Sequence, residues 1–120
     1  MLRPTDVYIA ALLERGIRVL IYTGTNDWAC NWFGSSKWTT NLEWSQREDF
    51  RRQSLRSWTV SGKGAGLARA ACGLTYATIF GSGHMVRWCC YAVHYLLTTV
   101  LGAIRQTCGI ARALQKVVEE

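Results

Sequence analysis

Two residues in this chain have a type and a setting suited to proton transfer. Asp27 lies in the run Thr23-Gly-Thr-Asn-Asp-Trp-Ala-Cys-Asn31, and His84 closes Gly81-Ser-Gly-His84. An aspartate that accepts the Nδ1 proton of a histidine fixes its tautomer and stabilises the imidazolium. The histidine can then take the proton of a serine hydroxyl. In one large group of triads the chain order is serine, aspartate, histidine, and these two residues fit the second and third places. Each also has a plainer reading. An aspartate after a strand often caps a turn or helix, and a histidine in a glycine turn often bonds only locally.

The other residues with chemistry are the five cysteines, Cys30, Cys72, Cys89, Cys90 and Cys108. An odd count leaves at least one unpaired within the chain. No Cys-x-x-Cys or His/Cys ligand spacing occurs, so no zinc or other metal is assigned and no cofactor is implied.

The elements that must position Asp27 and His84 can be read from pattern. Asp6 to Arg15 suits an amphipathic helix with Gly16 as its stop. Ile17-Arg18-Val19-Leu20-Ile21-Tyr22 reads as a strand that barely alternates, and so as one buried on both faces. Trp38 to Arg56 reads as two short helices, burying Trp38, Leu42, Trp44, Phe50 and Leu55. Ser61 to Gly66 reads as a loop or hairpin connection. Leu74 to Phe80 is rich in β-formers and alternates, so it reads as a second strand. A strand, then a loop with Asp27; a strand, then a loop with His84: this is one end of an α/β sheet, where loops carry chemistry.

Composition narrows the field. The chain has 120 residues, 49% hydrophobic and 18% charged. That is too apolar for a disordered chain. No run of about 18 uncharged apolar residues occurs, so no membrane span is expected. The net charge of +6 raises nucleic acid as a partner, but the positives are interleaved with Glu14, Glu43, Glu48 and Asp49. The densest group, Arg47, Arg51, Arg52 and Arg56, has helical spacing and reads as a solvated helix face. No nucleic-acid partner is therefore assigned. The first residues carry Arg3 and Asp6 and no apolar core of signal-peptide length, so no signal peptide is expected.

The wording of the loops goes further than their spacing. The run Arg18 to Gly34 closely resembles the catalytic-aspartate segment of the serine carboxypeptidases, the carboxypeptidase Y-like family. Lys37-Trp38, Leu42-Glu-Trp44, Trp58-Thr-Val-Ser-Gly62, Ala65-Gly66 and Leu74-Thr-Tyr76 continue the likeness. Gly81-Ser-Gly-His-Met-Val86 resembles the family's catalytic-histidine motif. The resemblance covers roughly residues 7–86. It implies the C-terminal portion of an α/β-hydrolase fold, incomplete, with Asp27 and His84 as triad members. It also implies that Cys30, Asn31 and Met85 lie beside the substrate. Read alone, Cys30 is equally a small buried hydrophobe and Met85 equally plain core filling. Thr25 is a departure, since the family usually places an acidic residue there.

Two larger departures follow. The chain holds no Gly-x-Ser-x-Gly elbow, so the nucleophile is missing and an upstream segment bearing it would be needed for activity. After Val86 the family continues with proline, whereas here Arg87-Trp88 follows. Read one base on, the codons for residues 102–119 permit a string beginning Val-Pro-Tyr-Asp-Lys-Pro, which looks like the family's missing close. The Val86 codon permits GT, and the Leu101 codon with the first base of the Gly102 codon permits TAG. The expected organisation is therefore a peptidase segment over 1–86 and a non-homologous tail over 87–120. That tail would be an unspliced intron followed by an exon out of frame.

The resulting expectation is a serine-type carboxypeptidase acting on peptide or protein C-termini, present as a fragment that is inactive alone. The resemblance implies a vacuolar or secreted location for an intact relative. The alternative is a small basic, non-enzymatic protein that binds a partner or touches a membrane.

Overall fold

The computed structural model describes residues 4–84. The expectations for Met85, for the boundary after residue 86 and for the tail lie outside the described residues.

Seven elements follow in order: α1 (Thr5–Glu14), β1 (Val19–Gly24), α2 (Trp32–Thr40), α3 (Arg47–Arg52), β2 (Arg56–Val60), β3 (Lys63–Ala71) and β4 (Leu74–Ile79). The strands form one mixed sheet in the order β1-β4-β3-β2. β1 runs parallel to β4, from Val19 opposite Leu74 to Gly24 opposite Ile79. The β2–β3 and β3–β4 pairs are antiparallel. This is the α/β class that the sequence predicts.

Helix α1 ends as its sequence dictates. Gly16 takes φ +76°, Ile17 N–H donates to Leu12 O and Gly16 N–H to Leu13 O. That paired closure is the one a left-handed glycine makes at a helix C-terminus. Helix α2 begins at Trp32, six residues before the expected start. The Asn31 side chain accepts the Gly34 N–H at 2.8 Å and caps it there. As a result Trp38 falls on an outer face of α2 and is exposed, contrary to its expected place in the core.

The helices pack on one face of the sheet. Leu13, Leu42, Trp44, Phe50, Ala71, Leu74 and Tyr76 form that core, and Phe50, Leu74 and Tyr76 are fully buried. A second cluster contains Trp58, Ala77 and Ile79, from the alternate positions of the strands.

Two expectations are corrected. Strand β1 is not buried on both faces: it is an edge strand among the described residues, and Tyr22 is exposed. It is β4, between β1 and β3, that is buried at every position, so it does not alternate as expected. Of the two readings of 61–66, the hairpin holds: a two-residue turn at Ser61-Gly62 joins β2 to the antiparallel β3, and residues 63–66 belong to that strand. Gly66 stands inside that strand because the Trp58 indole crosses it. A Cβ on Gly66 would sit 1.7 Å from Thr78 O and 2.7 Å from Trp58 Nε1. The indole uses the space to donate to Thr78 O at 3.0 Å.

The arginine group does not form one helix face. Arg47, Arg51 and Arg52 lie on α3, but Arg56 is on β2. Arg51 also pairs with Glu48 at 3.3 Å.

Candidate active site

Parallel pairing makes β1 and β4 end side by side, so the loops that follow leave the sheet at the same edge. The two loops are then stitched together. Thr25 N–H donates to Ile79 O at 3.0 Å, Asn26 N–H to Ser82 O at 2.9 Å, and Gly81 N–H to Thr25 Oγ1 at 2.9 Å. Thr25, the position that departs from the family pattern, thus binds the aspartate loop to the histidine loop. Gly24 permits the close approach. A Cβ there would lie 2.0 Å from Ser82 O and 2.7 Å from Gly83 O.

On this frame Asp27 and His84 meet. His84 Nδ1 lies 2.9 Å from Asp27 Oδ2. The other carboxylate oxygen, Oδ1, accepts the Cys30 N–H at 2.9 Å. The aspartate side chain is 5% exposed and the histidine side chain 65% exposed. The carboxylate is thus shielded while much of the imidazole faces outward. The Asp27 carboxyl is held below the usual aspartate value. The main cause is the Cys30 amide, opposed by burial and assisted by the hydrogen bond and charge of His84. An ionised, shielded carboxylate on Nδ1 orients the ring.

The Cys30 amide is itself held in place. Thr23 Oγ1 donates to Cys30 O at 2.9 Å. Two residues on, the Tyr76 hydroxyl donates to Trp32 O at 2.6 Å and anchors the start of α2 to β4. Thr23 and Tyr76 are positioning residues that the sequence reading missed. Their only sequence signal is a polar group on a strand that points into a core.

The expected site residues are distributed as follows. Asp27, Cys30 and His84 come together, and their ligand-capable side-chain atoms lie within 4.8 Å of one another. Cys30 is an exposed free thiol, so the alternative of a small buried hydrophobe is overturned. Asn31 is exposed beside them, with its side-chain oxygen engaged as the α2 cap. Met85 lies outside the described residues. Around the site, Trp28 is 97% exposed, and Phe33 stacks on Trp32 with ring centroids 3.8 Å apart. Of the described tryptophans, Trp44 and Trp58 are core, whereas Trp28 is neither core nor enclosed wall.

An acidic loop and a histidine loop at neighbouring parallel strand ends, below a helix-covered sheet, define the hydrolase type of α/β fold. Comparison with known proteins gives the family. The serine carboxypeptidase family model matches residues 1–90. A serine carboxypeptidase-like protein of rice is 42% identical over 85 residues, 71% of this chain and 20% of its own length. Carboxypeptidase Y of Candida albicans is 39% identical over 85 residues, again 71% of this chain and 16% of its own. Serine carboxypeptidase 3 of wheat is 41% identical over 85 residues, covering 71% of this chain and 17% of that protein. Among solved structures, a prohormone-processing carboxypeptidase of Saccharomyces cerevisiae superposes with a TM-score of 0.67 at 21% identity. That match covers 86% of this chain and 23% of that one. The chain belongs to the serine carboxypeptidase family. It spans between 16% and 20% of the length of these three relatives.

Proposed function

We propose that this chain carries the acid–base part of a serine carboxypeptidase active site. In the intact enzyme a serine from another segment would attack the last peptide bond of a peptide. His84 would take the serine proton and then deliver it to the leaving amine. Asp27 would hold the imidazole in its working tautomer and stabilise the cation. Cys30, Asn31 and Met85 would line the substrate's path. One observation carries this reading: the 2.9 Å contact between His84 Nδ1 and Asp27 Oδ2, with the remaining ring nitrogen left for a nucleophile.

The chain alone has no Gly-x-Ser-x-Gly elbow. Without the nucleophile, acyl transfer cannot begin, and the fragment is inactive by itself. An intact relative of this kind would work in a vacuolar or secreted setting. Among the described residues, no helix is long and apolar enough to cross a membrane.

The test is a chimera. Residues 7–84 replace the matching segment of the wheat serine carboxypeptidase 3. The chimera should react with a fluorophosphonate and release C-terminal residues from a peptide. His84→Ala should abolish turnover, and Asp27→Asn should lower kcat by about ten-thousandfold. A His84→Ala chimera that keeps the parent rate contradicts the assignment.

A further inference from the structure

The donor set at the dyad is that of a transition-metal site. Asp27, Cys30 and His84 supply a carboxylate, a thiol and an imidazole, with ligand-capable atoms within 4.8 Å of one another. Hard cations such as calcium and magnesium select all-oxygen sites, whereas sulfur and imidazole select zinc and its neighbours. Zinc bonds of about 2.0–2.3 Å place tetrahedral ligand atoms roughly 3.3–3.8 Å apart. Cys30 and His84 are exposed, so their side chains have room to adjust toward that spacing. The third ligand is fixed. Asp27 is buried, its N–H bonds to Gly24 O, and the Cys30 backbone is held by Thr23.

We propose that Asp27, Cys30 and His84 form a three-ligand site for a zinc-class divalent cation, taken up at the expense of the Asp27–His84 hydrogen bond. The Cys30 thiol gives its proton to solvent as the sulfur–metal bond forms, and His84 ligates as a neutral ring. No electron changes hands. Three protein ligands leave a fourth position for water. Such a cation would withdraw the carboxylate and the imidazole from proton transfer, so it would inhibit the intact enzyme. The inhibition rests on the function proposed above; the binding does not.

The binding is tested on the full 120-residue chain with cobalt(II) as the spectroscopic probe, in a thiol-free reducing buffer. A near-ultraviolet thiolate-to-cobalt band and tetrahedral visible bands should appear, and zinc should displace them. Cys30→Ser should remove the intensity due to this sulfur, and His84→Asn should weaken binding at least about tenfold. Bands at full strength and unchanged affinity in both variants overturn the site, because the metal is then held elsewhere. A second measurement needs no variant. Zinc added to the unmodified chain should shift the His84 ring resonances, and a ring unmoved at saturation also overturns the proposal. In the carboxypeptidase chimera, saturating zinc should abolish turnover in the parent, and should lower that of Cys30→Ser far less relative to the same variant without zinc. A chimera inactive without any metal counts against the proposed function and leaves the cobalt result standing.

Discussion

Gly24 and Ser82 cross so closely that one methyl group would not fit between them: a Cβ on Gly24 would lie 2.0 Å from the Ser82 carbonyl oxygen. The obstructing oxygen belongs to the backbone, and it also accepts the Asn26 N–H at 2.9 Å. The contact therefore sets the separation of the two loops that carry Asp27 and His84. Gly24→Ala should push these loops apart and destabilise the chain by about 1–3 kcal/mol, the usual cost of overpacking. In the carboxypeptidase chimera it should also lower kcat more than it raises KM. Urea unfolding and steady-state kinetics check the two effects.

Asp27 makes the chain sensitive to acid. Its folded carboxyl titrates below the usual aspartate value, chiefly because the Cys30 amide donates to it. The native state thus binds this proton less readily than the unfolded state. The resulting stability is fully present above the usual carboxylate range and is lost as pH falls through the folded value. Thr23→Val removes the hydroxyl that fixes Cys30 O. It should move the Asp27 titration back up toward its ordinary value, as read from carboxyl-carbon NMR shifts. An unmoved titration would mean that Thr23 does not position the amide.

At the alkaline end Tyr76 dominates. Burial pushes its phenol up to about 12, against an ordinary value of 10.0. The native state holds this proton more tightly than the unfolded state, so stability is intact below pH 10 and falls as pH rises toward 12. The full loss is on the order of 2–3 kcal/mol. Tyr76→Phe gives up the hydrogen bond to Trp32 O at a cost of about 1 kcal/mol near neutrality. It should also flatten this alkaline slope. Denaturation midpoints at neutral and alkaline pH, compared between the chain and the variant, decide it.

The parts of the site legible in the sequence were those written in local pattern. A β-rich run followed by a glycine turn located both strand ends, and the wording of the two loops singled out Asp27 and His84. The parts that escaped depend on tertiary contact. Strand β3 carries Gly64, Gly66 and several alanines, so neither propensity nor alternation marks it. Gly66 is explained only by the Trp58 ring that crosses it. β1 has the apolar wording of an interior strand but stands at the edge of the described sheet, where Tyr22 has no cover. The ligand group also had no sequence signature, because Asp27 and Cys30 meet His84 only through the parallel pairing of β1 with β4.

The tail makes a prediction at the level of the transcript. If residues 86–101 are a translated intron, a spliced cDNA should lack those codons and join the Met85 codon to the frame that begins Val-Pro. Its product should end in the family's closing helix. Transcripts that uniformly retain the interval would show that the tail is encoded as it stands.

The most direct measurement concerns the proton between Asp27 and His84. A neutral imidazole in water prefers the Nε2–H form, and a carboxylate facing Nδ1 reverses that preference. Nitrogen-15 NMR of the His84 ring in the full chain should therefore show the Nδ1–H tautomer, and Asp27→Asn should disturb it. A neutral ring in the Nε2–H form, indifferent to Asp27→Asn, would mean that the two residues do not form a working pair.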